Sequence, residues 1–249
     1  MEKSTDIIRH KRHILLKEIG GHGQKLIANS HVAIIGMGGL GCPCALYLAA
    51  CGIGKITIID DDVVDISNLQ RQVLYKNEDI GKSKVECAKS ALNALDNNIE
   101  IIAHNERLTS ENAKTLLNDA QIIIDGSDNF KTRFLVNEIS FALGKILVSG
   151  ALGRFDGQIM AFDFRNQNGP CYQCLVPAAP IVEENCDFLG VIGAICGIIG
   201  SIMALETIKI IANAGENIIG RLLIYDGLKG QMRNIALTQD RDCKICSKK

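Results

Sequence analysis

Val32-Ala33-Ile34-Ile35-Gly36-Met37-Gly38-Gly39-Leu40-Gly41 is the stretch on which the fold turns. Four apolar residues read as a short buried strand, the glycines as a tight turn, and Cys42 to Cys51 as the helix behind it. Asp60 lies nineteen residues beyond Gly41, at the end of a second apolar strand, Lys55 to Ile59. Such a turn brings backbone N–H groups and a helix N-terminus against phosphate, and a carboxylate in the place of Asp60 accepts from ribose hydroxyls. Gly36, Gly38, Gly39, Gly41 and Asp60 therefore form a candidate nucleotide site. They leave NAD and ATP equally open, and the bland reading of Asp60 is a hydrated acid starting a turn. Asp61 and Asp62 extend it into a run of three acids, suited to a cation or to water alone.

Outward from this turn the chain keeps alternating. Residues 12 to 28 read as one helix with Ile14, Leu15, Ile19 and Leu26 on its apolar side. Lys82 to Asp96 reads as an amphipathic helix, Ile99 to Ala103 as a third strand, and Ser110-Glu111 as the opening of another helix. Gln121 to Ile124 is a fourth strand ending at Asp125, followed by a helix from Lys131 to Leu143 and a strand at Ile146-Leu147-Val148. Strands and helices at this spacing predict a Rossmann-like α/β fold with a mostly parallel sheet. Beyond residue 150 the pattern changes. Gly157 to Phe164 alternates as an antiparallel strand does, and a Leu222 to Tyr225 strand follows later. The expectation is a parallel sheet continued by antiparallel strands, with no second nucleotide-binding half.

The chain has 249 residues, enough for a large α/β core, and a formal charge of −1 that gives no reason to expect a nucleic-acid partner. Its basic start, Met1 to Lys25, reads locally as a solvated surface. Phe188 to Leu205 carries no charge over 18 residues, but its four glycines and the adjoining Glu206 and Lys209 favour a buried core helix over a membrane span. There are ten cysteines and no apolar leader, so a reducing cytoplasm is the simplest setting. Cys42, Cys44, Cys51, Cys87 and Cys196 lie in apolar or helical contexts and read as small core residues.

Cys171, Cys174, Cys243 and Cys246 are different, because they form two CxxC pairs 72 residues apart. Thiolates three positions apart face one ion, and four make the tetrahedral sulfur shell that structural zinc favours. Redox thiols and ordinary loop cysteines are the competing readings. Ser67-Asn68-Leu69-Gln70-Arg71-Gln72 is dense in amide and guanidinium donors, and Lys82 and Lys84 follow at the next helix start. A guanidinium fork suits phosphate oxygens, and in open sheets ligands sit at the carboxyl ends of the strands. Asp125-Gly126-Ser127-Asp128-Asn129 closes the next strand, where Asp128 suits Mg²⁺ and, equally, Asp128 or Asn129 suits a helix cap.

Taken in order, these segments resemble the ThiF/MoeB/HesA family, bacterial relatives of ubiquitin-activating enzymes. The resemblance is carried by Arg9 to Leu16, Gly20 to Gln24, Gly36 to Gly41, Asp60 to Gln72, Gly81 to Lys84, Asp125 to Arg133, Gly157-Gln158 and both CxxC pairs. It spans nearly the whole chain, and the Ser67–Gln72 and Asp128–Arg133 segments are far more specific than the glycines. It implies one adenylyltransferase domain over 1–249, with a nucleotide core at about 30–150 and a carrier-binding and zinc region at about 151–249. It implies ATP and Mg²⁺, a small ubiquitin-like sulfur-carrier protein ending in Gly-Gly, AMP transfer to its terminal carboxylate and release of pyrophosphate. By motif, Asp60 would hold the ribose, Asn68, Arg71 and Lys84 the phosphates and Asp128 Mg²⁺, with Gln72 in the same shell. Arg12 would reach into a neighbouring subunit's site, implying a homodimer. Cys186 resembles a cysteine that in thiamine-pathway members forms a persulfide link to the carrier, while in molybdopterin-pathway members a cysteine nearby need not be catalytic.

Three departures stand out. Cys42 and Cys44 replace the usual small residues after the glycines, Phe188-Leu189 is bulkier than is common, and no sulfurtransferase domain follows the second CxxC, so sulfur would come from a separate donor protein. Activation of another peptide or carrier C-terminus is the alternative within the class. An NAD(P) oxidoreductase is the alternative outside it, lacking a Tyr-Lys pair and a substrate domain. A zinc-stapled scaffold without activity would not need Arg71, Lys84 or Asp128.

Overall fold

The computed structural model describes residues 7–179 and 190–247; Cys186 and Phe188-Leu189 lie outside the described residues. Two short helices, α1 (Lys11–Ile14) and α2 (Gly20–Ala28), precede a run of strands and helices. That run comprises β1 (His31–Ile35), α3 (Gly41–Ala50), β2 (Lys55–Ile59), α4 (Lys84–Leu95), β3 (Glu100–His104), α5 (Ala113–Leu117), β4 (Ile122–Asp125), α6 (Phe130–Ala142) and β5 (Ile146–Leu152). These five strands are parallel, in the order β3-β2-β1-β4-β5. Residues 32–35, 56–59 and 122–125 are all buried, as strands covered on both faces require, and this is why all but Thr57 and Asp125 among them are apolar.

Within each strand the side chains still alternate between two cores. Val32 and Ile34 join one cluster with Leu48, Ile58, Ile199 and Met203; Ala33 and Ile35 join the other with Ile59, Phe162 and Phe164. The strand order reverses between β1 and β4, so a crevice opens there, beyond Ile35 and Asp125.

The sheet continues without a break into β6 (Asp156–Asp163), β7 (Arg221–Asp226) and β8 (Gln231–Ala236), all antiparallel, giving eight strands. Between β6 and β7 lie α7 (Tyr172–Leu175) and the long α8 (Gly193–Ala212). By length and composition α8 could cross a membrane, yet half of it is buried inside the protein. It packs on α3, α2, β5 and β6 through residues that include Ile195, Ile199 and Met203. Its one buried acid, Glu206, is satisfied by Lys209 Nζ at 2.6 Å and the Ile218 backbone N–H at 3.1 Å. This is the core helix the sequence leads one to expect, starting at Gly193.

Two elements differ from expectation. The single helix over 12–28 is instead α1 and α2, parted by a turn, because Gly20 adopts a left-handed φ of 59° that helical backbone does not allow. β8 has no forerunner in the sequence reading: all six of its residues are exposed, so no apolar alternation marks it.

Candidate active site

Gly36 ends β1 with φ 86°, and a methyl there would meet the Gly126 carbonyl oxygen at 3.0 Å. The glycine lets the loops after β1 and β4 lie against each other at the point where the strand order reverses. Gly41, at the start of α3, has the opposite role of admitting a neighbour: a methyl there would collide with the Gly36 carbonyl. Met37 between them is held from several sides. Its N–H donates to Asp60 Oδ2 at 2.6 Å, and its carbonyl accepts from Tyr75 Oη at 2.7 Å and from Cys42 Sγ at 3.3 Å. Cys42 and Cys44 are fully buried, so the unusual residues after the glycines are core packing, with Cys42 bracing the turn.

Asp60 thus does more than present a carboxylate to a ligand. It ties the end of β2 to the glycine turn, and its other oxygen accepts the Asp62 N–H at 2.9 Å. Burial raises its carboxyl above the ordinary value, opposed by Lys84 and by these two N–H groups. Lys84 is the first residue of α4, buried along its stem, with Nζ on Asp62 Oδ2 at 2.8 Å. Arg71 donates from Nη1 to the Ser67 carbonyl at 2.9 Å, and Asn68 Oδ1 accepts the Asp65 N–H at 3.1 Å in a short 3-10 turn, Ile66–Asn68. Gln72 is buried beside Gly38, and its Oε1 has no hydrogen-bond partner among the described residues.

In the turn after β4 the helix cap is Asn129 and not Asp128. Asn129 is the cap of α6, its Oδ1 accepting the Thr132 N–H at 2.9 Å. Asp128 is exposed and takes a long bond of 3.3 Å from Asn129 Nδ2. Gly36, Gly38, Gly39, Asp60, Asn68, Arg71, Gln72, Lys84 and Asp128 all line one cleft of about 1550 Å³. Gly41 lies behind its wall. Arg12 is not among the lining residues; it is exposed on α1, whose preceding segment is pinned to the body by Arg9, bonded to the Leu95 carbonyl at 3.1 Å and paired with Asp96 at 3.5 Å.

Arg133 was quoted in the motif without a role, and the structure supplies one. It is buried on α6 and donates from Nη1 to the Gly150 carbonyl at 2.7 Å and from Nη2 to the Ser127 carbonyl at 2.5 Å. Asp125, also buried, lies 3.8 Å from that guanidinium and accepts from Ser127 Oγ at 2.6 Å and Ser149 Oγ at 2.9 Å. Arg133 and Asp125 therefore clamp the loops after β4 and β5, which form one wall of the cleft. The clue in the sequence is an arginine one turn inside a helix whose start carries the site acid.

On the far side of the same helix the four cysteines converge. Cys171 and Cys243 sulfurs are 3.5 Å apart, Cys174 and Cys246 3.3 Å, and Cys171 and Cys174 4.0 Å. All four sulfurs lie within 4.8 Å of one another. Four thiolates about 2.3 Å from a tetrahedral zinc would stand about 3.8 Å apart, so the donor set fits such an ion closely.

An open α/β sheet with a glycine turn at its switch point, a cleft there lined by Asp60, Arg71, Lys84 and Asp128, and an antiparallel extension defines a class of nucleotide-binding fold. MccB from E. coli, solved with succinimide, shares that fold at a TM-score of 0.83 and 21% identity, over 96% of this chain and 74% of that one. The chain belongs to the ThiF family, which it matches over residues 10–247. An Aedes aegypti protein named adenylyltransferase and sulfurtransferase MOCS3 is 45% identical over 98% of this chain and 56% of its own length. The chain thus spans little more than half of that relative. A Thermus thermophilus protein named sulfur carrier protein adenylyltransferase is 39% identical over 97% of this chain and 91% of its own length.

Proposed function

We propose that this chain uses ATP and Mg²⁺ to adenylylate the C-terminal Gly-Gly carboxylate of a small ubiquitin-like sulfur-carrier protein, releasing pyrophosphate. The observation that carries the reading is the convergence of Asp60, Asn68, Arg71, Lys84 and Asp128 on one cleft at the glycine turn. A dinucleotide site needs the turn and Asp60; it does not need two cations and a separate exposed acid. The sulfur-carrier adenylyltransferase name of the T. thermophilus relative, which this chain covers over nearly its full length, supports the same conclusion.

The chemistry follows from the residue types. The attacking carboxylate is already ionised, so no general base is needed, and none of the five histidines lines the cleft. Its oxygen forms a bond to the α-phosphorus while the bond to the β-phosphate oxygen breaks, the electron pair leaving with pyrophosphate. Negative charge therefore builds on phosphate oxygens, and fixed cations aimed at it supply the main stabilisation. Arg71 offers a planar fork and Lys84 a point charge on a stem locked by burial. Lys84 is paired with Asp62 at 2.8 Å, which compensates the charge of a buried side chain. Asn68 contributes amide donors, Gln72 belongs to the same shell, and Asp60 keeps lone pairs for the ribose. Asp128 would hold Mg²⁺, which when bound draws charge from the polyphosphate.

The rest of the proposal concerns assembly. The chain acts as one domain, a nucleotide core at about 30–150 followed by a carrier-binding and zinc region at about 151–249. Cys171, Cys174, Cys243 and Cys246 hold a structural zinc, closed to substrate by its four thiolates. Arg12 completes the site of a second copy in a homodimer, a separate protein donates the sulfur, and the setting is the reducing cytoplasm. Arg71→Ala and Asp128→Ala should each lower carrier-dependent pyrophosphate exchange at least about 100-fold while leaving the circular dichroism spectrum unchanged. Near-normal exchange in both would remove the assignment.

A further inference from the structure

Asn137 sits midway along α6, fully buried, and its Oδ1 accepts the Tyr172 backbone N–H at 2.9 Å. A backbone N–H can be met only by the amide oxygen, so this bond fixes which way the amide faces. Nδ2 consequently points away from Tyr172 N, where it has no acceptor of ordinary hydrogen-bond geometry among the described residues. Buried amide donors rarely go unmet. Tyr172 directly follows Cys171, so this bond sets the Asn137 side chain beside the cysteine pair, where it interacts with the Cys171 sulfur.

A neutral thiol is a weak acceptor, whereas a metal-bound thiolate carries the charge that makes an N–H···S bond worthwhile. The unmet donor finds a charged acceptor once the cluster is loaded. We propose that Asn137 is the outer-sphere partner of the four-cysteine centre, donating from Nδ2 to the metal-bound sulfur of Cys171. The inference rests on the cluster being a zinc site.

Its consequence reaches further than the cluster. The helix that carries Asn137 starts at the Asn129 cap beside Asp128, and Arg133 lies one turn before Asn137. Through Asn137 the metal centre is tied to the element that fixes the acid end of the nucleotide cleft. Tyr172, in the same loop as Cys171 and Cys174, adds a ring contact with Phe134 of α6, centroids 5.8 Å apart. The hydrogen bond and the ring contact together fasten the cysteine loop to the helix.

The test is a competition between the purified chain and a chromophoric chelator for zinc, comparing wild type with Asn137→Ala and Asn137→Asp. The Asp variant keeps the volume and an acceptor for the Tyr172 N–H but loses the donor, and it serves where the Ala variant fails to fold. Both should hold zinc about 10- to 100-fold more weakly, the loss typical of an outer-sphere partner. Cobalt(II) in place of zinc gives a second readout: loss of an N–H···S bond should shift the sulfur-to-cobalt charge-transfer band of the Asp variant to lower energy. Wild-type zinc affinity in the variants, or an unchanged cobalt spectrum, would overturn the inference. A wild-type chain that takes up neither metal would instead remove the zinc reading on which it rests.

Discussion

At the scale of single residues, the site acids divide into those that face the ligand and those that build the wall. Asp128 is exposed at the cleft, whereas Asp125, three residues earlier, is buried and spends both oxygens on Ser127 and Ser149. The two look alike in sequence because each ends or follows an apolar strand; only burial separates them. Arg133 is the countercharge that makes the buried acid tolerable. Removing one member of such a pair leaves the other uncompensated, so Arg133→Ala should cost about 3–5 kcal/mol in urea unfolding, with Arg133→Lys recovering part of it. A cost within experimental error for Arg133→Ala would mean the clamp carries no weight. The cleft-lining residues were legible, since Asp60, Asn68, Arg71 and Lys84 stand out by type and spacing. Arg133 and Asn137 were not, because their work is done on backbone carbonyls, a backbone N–H and a sulfur far away in sequence.

Elements were readable in proportion to their burial. β1, β2 and β4 are mostly apolar and sit where the sequence puts them. β8 has no buried residue and is held to β7 by the backbone ladder and the Arg221 Nε–Asn234 Oδ1 bond of 2.7 Å, so apolar periodicity had nothing to detect; the Asp226–Gly230 turn, with Gly230 at φ 63°, was the available clue. The helix over 12–28 was misjudged for a local reason, a glycine whose backbone the apolar pattern does not reveal. The C-terminal segment is the element most dependent on something other than apolar burial. Cys243 and Cys246 are buried against Phe162 and its neighbours, while Arg241 and Lys244 beside them are exposed. Chelator should therefore accelerate tryptic cleavage at Arg241 and Lys244 by about tenfold or more while the sheet persists. Equal cleavage with and without chelator would show that no metal staples this segment.

For the whole molecule, the strand order accounts for where the cleft is and the family for what it does with it. The reversal between β1 and β4 opens a single crevice, and the antiparallel strands beyond β5 extend the same sheet. Arg12 stands outside that cleft on its own chain and is proposed to serve the site of a second copy. If so, Arg12→Ala and Asp128→Ala homodimers should both be inactive, and mixing them should restore a fraction of wild-type exchange, since a mixed dimer contains one intact site. No recovery on mixing would place Arg12 outside the chemistry. The central claim is that a protein carboxylate is activated at the glycine turn. It is tested most directly by incubating the chain with ATP, Mg²⁺ and a ubiquitin-like carrier ending in Gly-Gly, and measuring the intact mass of the carrier. The account predicts a carrier–AMP adduct that depends on ATP and is lost when the terminal glycine is removed. A carrier of unchanged mass, across both thiamine-type and molybdopterin-type carriers, would contradict it.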